Sequence, residues 1–164
     1  FLNYIHSPAG PKRIVSWGGR SFDIPVLMWR AMHYGIAAPK LHLAMRHRYT
    51  ETYHIDASDQ TAYFGSTIRP KLMHACNVLG MPGKLGIDGS KVEKVFDEGG
   101  LKEIRNYCNL DVLQTGVVFL RWLHVRGELD TICYNGLIRS ILDAANATEL
   151  KEVIDGWDEV LRIR

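Results

Sequence analysis

Apolar and polar positions along the chain alternate in two rhythms. Arg13-Ile14-Val15-Ser16-Trp17 is short, rich in β-branched residues and closed by Gly18-Gly19, which predicts a strand. From about Asp23 the rhythm changes to helical spacing. Val26, Leu27, Arg30, Ala31 and Tyr34 follow at helical steps, Pro25 suits a first turn, and Gly35 ends the run. Phe1-Leu2-Asn3-Tyr4-Ile5 reads as the end of an amphipathic helix, and Pro8, Gly10 and Pro11 punctuate the turn after it. Residues 39–59 are basic and polar, and within them Tyr53-His54-Ile55-Asp56 suits a short strand or a helix entry.

Further along, Lys71 to Leu79 predicts a helix, and Gly80-Met81-Pro82-Gly83-Lys84-Leu85-Gly86 a loop. Ser90 and Glu93 have the spacing of a capping box. The strongest helical pattern runs from about Leu101 to Gly127, where Ile104, Tyr107, Cys108, Val112, Thr115 and Phe119 recur at steps of three or four. Two more helices are predicted, at Thr131–Ala145 and Thr148–Ile163. There is no internal repeat and no low-complexity tract.

The composition, 46% hydrophobic and 23% charged over 164 residues, suits one globular domain and excludes disorder. A net charge of +2 says little, but its distribution says more. Up to position 50 the bases are Lys12, Arg13, Arg20, Arg30, Lys40, Arg46 and Arg48, against the single acid Asp23. A lone acid in a basic stretch suits a site that meets phosphate, although a solvated basic surface is the more ordinary explanation. Cys76, Cys108 and Cys133 form no C-x-x-C pair, which argues against a zinc knuckle and fits a reducing, cytoplasmic setting. No apolar run approaches the roughly 20 residues of a membrane-spanning helix.

Two local patterns carry chemistry. Trp17-Gly18-Gly19-Arg20-Ser21-Phe22-Asp23-Ile24-Pro25 places an acid just after a glycine turn, at a helix start, where a carboxylate can reach a metal at a sheet edge. The plainer role for Asp23 is a helix N-cap. In Tyr107-Cys108-Asn109-Leu110-Asp111, a spacing of four puts Tyr107 and Asp111 on one helix face. Asp111 stands among apolar neighbours, and a buried carboxylate is costly unless paired or metal-bound.

In this order and separation, the two patterns resemble motifs II and III of the DEDD 3′–5′ exonucleases, in the subgroup whose third motif carries tyrosine. Closest is the bacterial family of predicted 3′–5′ exonucleases related to the proofreading domain of family-B DNA polymerases, with its N-G-R-x-F-D-x-P-V-L stretch. Here that stretch is Gly18-Gly19-Arg20-Ser21-Phe22-Asp23-Ile24-Pro25-Val26-Leu27, and the likeness continues through His54-Ile55-Asp56, the Gly80–Gly86 loop and Tyr107 to Thr115. It covers roughly residues 1–127, a partial exonuclease-like domain on which the helices of 128–164 would pack.

The resemblance implies an α/β, RNase H-like domain, helix-rich because its leading strands are missing. It implies that Asp23 and Asp111 are metal ligands and converge, with the Tyr107 hydroxyl nearby to orient and help deprotonate the attacking water. Two divalent ions, Mg²⁺ or Mn²⁺, would serve an in-line displacement at the terminal phosphodiester of a nucleic acid, with single-stranded 3′ ends as the expected substrate. Arg20, Arg69 and Lys84 are candidate phosphate contacts. Phe22 and Trp17 could stack on terminal bases, although core packing is the more common role for such rings.

There are two departures from the family pattern. Gly18 replaces the usual asparagine. Motif I, a D-x-E on the first strand, is absent, since no aspartate in the chain has glutamate two positions on. The family's first strands are expected to precede Phe1, and without them the chain is expected to be inactive. The other function class is a non-catalytic nucleic-acid-binding module. Retention of Asp23, Tyr107 and Asp111 argues against it, because binding alone needs none of the three.

Overall fold

The computed structural model describes residues 1–7, 13–81 and 89–164. The chain divides into two compact units, Phe1–Pro70 and Lys71–Arg164.

The first unit carries α1 (Leu2–His6), β1 (Ile14–Ser16), α2 (Asp23–His33), α3 (Pro39–Arg46), β2 (His54–Asp56) and α4 (Ala57–Thr61). β1 and β2 pair in parallel, with Ile14, Val15 and Ser16 opposite His54, Ile55 and Asp56. Parallel neighbours need a crossover, and α2 with α3 supply it. Ile5, Ile24 and Leu41 form a buried cluster in this unit, flanked by Leu2, Ile14, Leu27, Met28 and Ala38. β2 is buried along its whole length, whereas Val15 on β1 is exposed.

The second unit carries α5 (Leu72–Val78), α6 (Val92–Asp97), α7 (Leu101–Val125), α8 (Thr131–Asn146) and α9 (Trp157–Leu161). At 25 residues, α7 is ~37 Å long at 1.5 Å per residue. It packs on α5, α6 and α8, and α8 packs on α9. The C-terminus is tied back by polar contacts. Arg121 donates to the Tyr134 hydroxyl at 2.9 Å and to the Leu161 carbonyl at 2.6 Å, and Tyr134 donates to the same carbonyl.

The secondary structure is therefore helix-rich α/β, with a small parallel sheet. Most predicted elements appear within a residue or two of their expected ends. Three differ. Asp23 is the first residue of α2, and its side chain makes no capping bond; Phe22 holds the N-cap position. α6 begins at Val92, after a 3₁₀ turn at Gly89–Lys91, and Lys91 rather than Ser90 holds its N-cap position. The expected helix from Thr148 to Ile163 is reduced to α9, because Gly156 sits at φ +75° and breaks the helical path before Trp157. Among the described residues, no helix is long and apolar enough to cross a membrane.

Candidate active site

The site residues named from the sequence fall into two groups, one in each unit. In the first unit the turn from β1 to α2 presents Arg20, Phe22 and Asp23. Its shape depends on two glycines. Gly18 has φ +74°, a conformation open to glycine and strained for other residues. Gly19 is closely packed: a Cβ there would lie 2.3 Å from Ser16 Oγ and 3.1 Å from Asp23 Oδ2. The Asp23 carboxylate thus sits over the glycine turn, on an exposed helix start. The Gly19 carbonyl accepts the Ile24 amide at 2.9 Å, which fastens the turn to the first residues of α2.

Beneath the turn lies a buried polar cluster. Asp56, at the end of β2, is 3% exposed. Its Oδ1 accepts from the Gly18 amide at 2.9 Å, the Ser58 hydroxyl at 2.9 Å and the Asp59 amide at 3.2 Å. Its Oδ2 accepts from the Arg20 amide at 3.0 Å. Beside it, His54 Nε2 and Ser16 Oγ are 2.8 Å apart, while His54 Nδ1 is buried without a partner. Burial, reinforced by the Arg20 charge, pulls the His54 imidazole down to about 4, with Asp56 and Asp59 pulling the other way.

Asp59 is the other buried acid among the described residues. Arg48 grips it with two hydrogen bonds, at 2.8 and 2.7 Å, and Arg69 adds a third at 2.6 Å. The Arg48 hydrogen bonds hold its carboxyl below the ordinary range, against the upward pull of burial.

These contacts decide what the named basic and aromatic residues do in the fold. The Arg20 guanidinium points back onto the end of α3, donating to the Ala44 and Met45 carbonyls at 3.2 and 3.0 Å and more weakly to His47. Arg69 pairs with Asp59, with its side chain still 38% exposed. Phe22 is 68% exposed, so it lies outside the core, immediately before Asp23. Trp17 is half-buried, and its indole N–H donates to the Pro70 carbonyl at 3.2 Å. Lys84 and most of the glycine-rich loop around it lie outside the described residues.

In the second unit Tyr107 and Asp111 stand one turn apart on α7, both half-buried. The Tyr107 hydroxyl lies against the turn before α6, 3.9 Å from where a Gly89 Cβ would be. Asp111 lies near α5: burial and then its negative charge raise the buried Cys76 thiol to about 11.

The oxygen donors of Asp23 and Asp111 suit a hard divalent cation. Among the described residues, however, no three His, Cys, Asp or Glu side chains are grouped to hold a metal. The donor chemistry of each carboxylate by itself fits such a metal.

Reading the sequence left Asp56, Asp59 and Arg48 without roles. One signal was available. Asp56 followed three residues later by Asp59, at the end of a buried strand, has the spacing of a helix cap, and Asp56 does cap α4.

No curated protein and no solved structure matches the chain. A family of predicted 3′–5′ exonucleases related to the exonuclease domain of PolB matches residues 1–161, and the chain belongs to that family.

Proposed function

We propose that this chain contributes to a metal-dependent 3′–5′ exonuclease on an RNase H-like fold, which hydrolyses terminal phosphodiesters at single-stranded 3′ ends. The observation that carries it is family membership over residues 1–161 in a chain that keeps an acid at the start of α2 and the Tyr107–Asp111 pair on one face of α7. The parallel pairing of β1 and β2 through a helical crossover is in keeping with such a fold.

Asp23 and Asp111 each offer a carboxylate to Mg²⁺ or Mn²⁺. When bound, the ions activate water and offset charge on the phosphoryl oxygens. Tyr107 orients the attacking water through its hydroxyl and takes part in its deprotonation. Phe22, exposed beside Asp23, is placed to stack on a terminal base, and such stacking tolerates any sequence. Of the nominated cations, Arg69 keeps part of its side chain in solvent and can meet a phosphate while it holds Asp59. Arg20 serves the reaction differently, by fixing the glycine turn to α3.

The test is release of 3′-terminal nucleotides from labelled single-stranded DNA with Mg²⁺ or Mn²⁺, using protein in which a D-x-E strand accompanies this chain. Asp111→Asn removes a ligand charge at nearly constant shape. It is expected to cost more than the roughly 100-fold that loss of an outer partner of a metal costs, and Tyr107→Phe no more than that. Undiminished cleavage by the Asp111→Asn variant would overturn the proposal.

A further inference from the structure

We infer that Asp56 is a positioning residue for Asp23, acting through the backbone of the glycine turn. The inference rests on the reading of Asp23 as a metal ligand, and goes beyond it by assigning the group that sets where that ligand stands. Asp56 is on β2 and Asp23 on α2, and the link between them runs through the backbone. The link is a chain of hydrogen bonds. One carboxylate oxygen takes the Gly18 amide and the other takes the Arg20 amide, at 2.9 and 3.0 Å. Gly19, held between them, takes the Ile24 amide on its carbonyl and lies beneath the Asp23 carboxylate.

Three features indicate an active restraint. Asp56 is 3% exposed, so its charge is held by these donors and not by water. Gly18 is in a left-handed conformation that the free chain does not prefer over others, so an anchor is needed to select it. Ser58 donates to the same oxygen that holds Gly18, which fixes the rotation of the carboxylate about its own bond. A ligand at a helix start, on a turn with two glycines, would otherwise wander. Metal sites lose affinity steeply when the groups that orient their ligands are removed.

The probe is Mn²⁺ added to the 164-residue chain, read as paramagnetic broadening of the backbone amide resonances from Gly19 to Ile24. This readout needs no catalysis. Asp23→Asn is expected to abolish the broadening. Its survival would overturn both the metal-ligand reading of Asp23 and the present inference.

Asp56→Asn keeps an acceptor at Oδ1 for Gly18, Ser58 and Asp59, and puts an amide where Oδ2 accepted from Arg20. It is expected to weaken the broadening by roughly 10- to 100-fold, with the resonances of α3 unmoved. Ser58→Ala changes no charge, and so separates position from electrostatic field. It also stands in if Asp56→Asn does not fold. Ser58→Ala is expected to weaken the broadening about threefold. Abolition by Asp23→Asn together with unchanged Mn²⁺ response in Ser58→Ala would overturn the positioning role alone and leave Asp23 as a ligand.

Discussion

At the scale of single residues, the polar cluster under the glycine turn sets how the first unit responds to acid. His54 is buried, one nitrogen faces Ser16, and the other has no partner. Its pKa is near 4 in the fold, against 6.5 for an ordinary histidine. The unfolded chain therefore binds a proton that the folded chain refuses. The associated stability is complete above about pH 6.5 and is lost as pH falls from there towards 4, by about 3 kcal/mol in all. Asp59 responds in a lower window, because its carboxyl is held below the ordinary carboxylate range and its contribution goes only as pH falls through that depressed value. Urea unfolding of wild type and His54→Asn, compared between pH 7 and 4.5, should show the decline in wild type and a flatter profile in the variant. Equal slopes would mean that His54 is not held neutral. Residues of this kind were hard to read from the sequence. Arg20 has the chemistry of a phosphate ligand, but its acceptors are carbonyls 24 or more residues away, and no local pattern reveals them. Phe22, flanked by Ser21 and Asp23, has the chemistry of a core ring, yet it stands exposed at the N-cap position of α2.

At the scale of elements, α2 shows why periodicity located the helix without orienting it. Ile24 and Ala31 are buried, while Phe22, Val26, Trp29 and Met32 are exposed. Ile24, Leu27, Met28 and Ala31 make an inward stripe at i, i+3, i+4 and i+7, but Val26, Trp29 and Met32 are apolar as well, so the pattern alone does not choose the face. α7 is a second case of this kind: Cys108 and Val112 of its predicted stripe are exposed, and its buried residues are Leu110, Leu113, Gln114, Val117 and Val118. Its pattern sustains seven turns, and sequence and structure agree on its extent to within two residues at the C-terminal end. Caps were less legible. Ser90 and Glu93 have the spacing of a capping box, but the preceding 3₁₀ turn moves the helix start to Val92. Asp130, which does cap a helix, is followed by no acid or amide three residues on. Its side chain accepts from the Cys133 amide at 2.7 Å. Asp130→Ala is expected to lower stability by about 1 kcal/mol and Asp130→Asn to be close to neutral, since both aspartate and asparagine accept at an N-cap. The unfolding midpoints in urea will check this, and an Asp130→Ala variant as stable as wild type would remove the cap from the account.

At the scale of the whole molecule, the family match extends to residue 161, whereas the legible motifs end near residue 127. The reason is physical. After α7 the chain contributes packing and backbone ties, such as those from Arg121 and Tyr134 to the Leu161 carbonyl, and such ties have no sequence signature. The chemistry is more sharply limited. Under the proposed mechanism, two divalent cations would bring four positive charges, and Asp23 with Asp111 would bring two negative ones. The substrate phosphate cannot make up the difference, because it must also be oriented and attacked, and metal catalysis depends on fixed coordination number and geometry. No D-x-E occurs among the 164 residues, and no three metal-binding side chains are grouped among those described. The 164-residue chain by itself is therefore expected to release few or no 3′-terminal nucleotides from labelled single-stranded DNA in Mg²⁺ or Mn²⁺. Supplying a strand with D-x-E ahead of it should restore release, and Asp23→Asn or Asp111→Asn should cancel the restored activity. Robust digestion by the 164-residue chain, stopped by a chelator and by either substitution, would mean that these two carboxylates suffice.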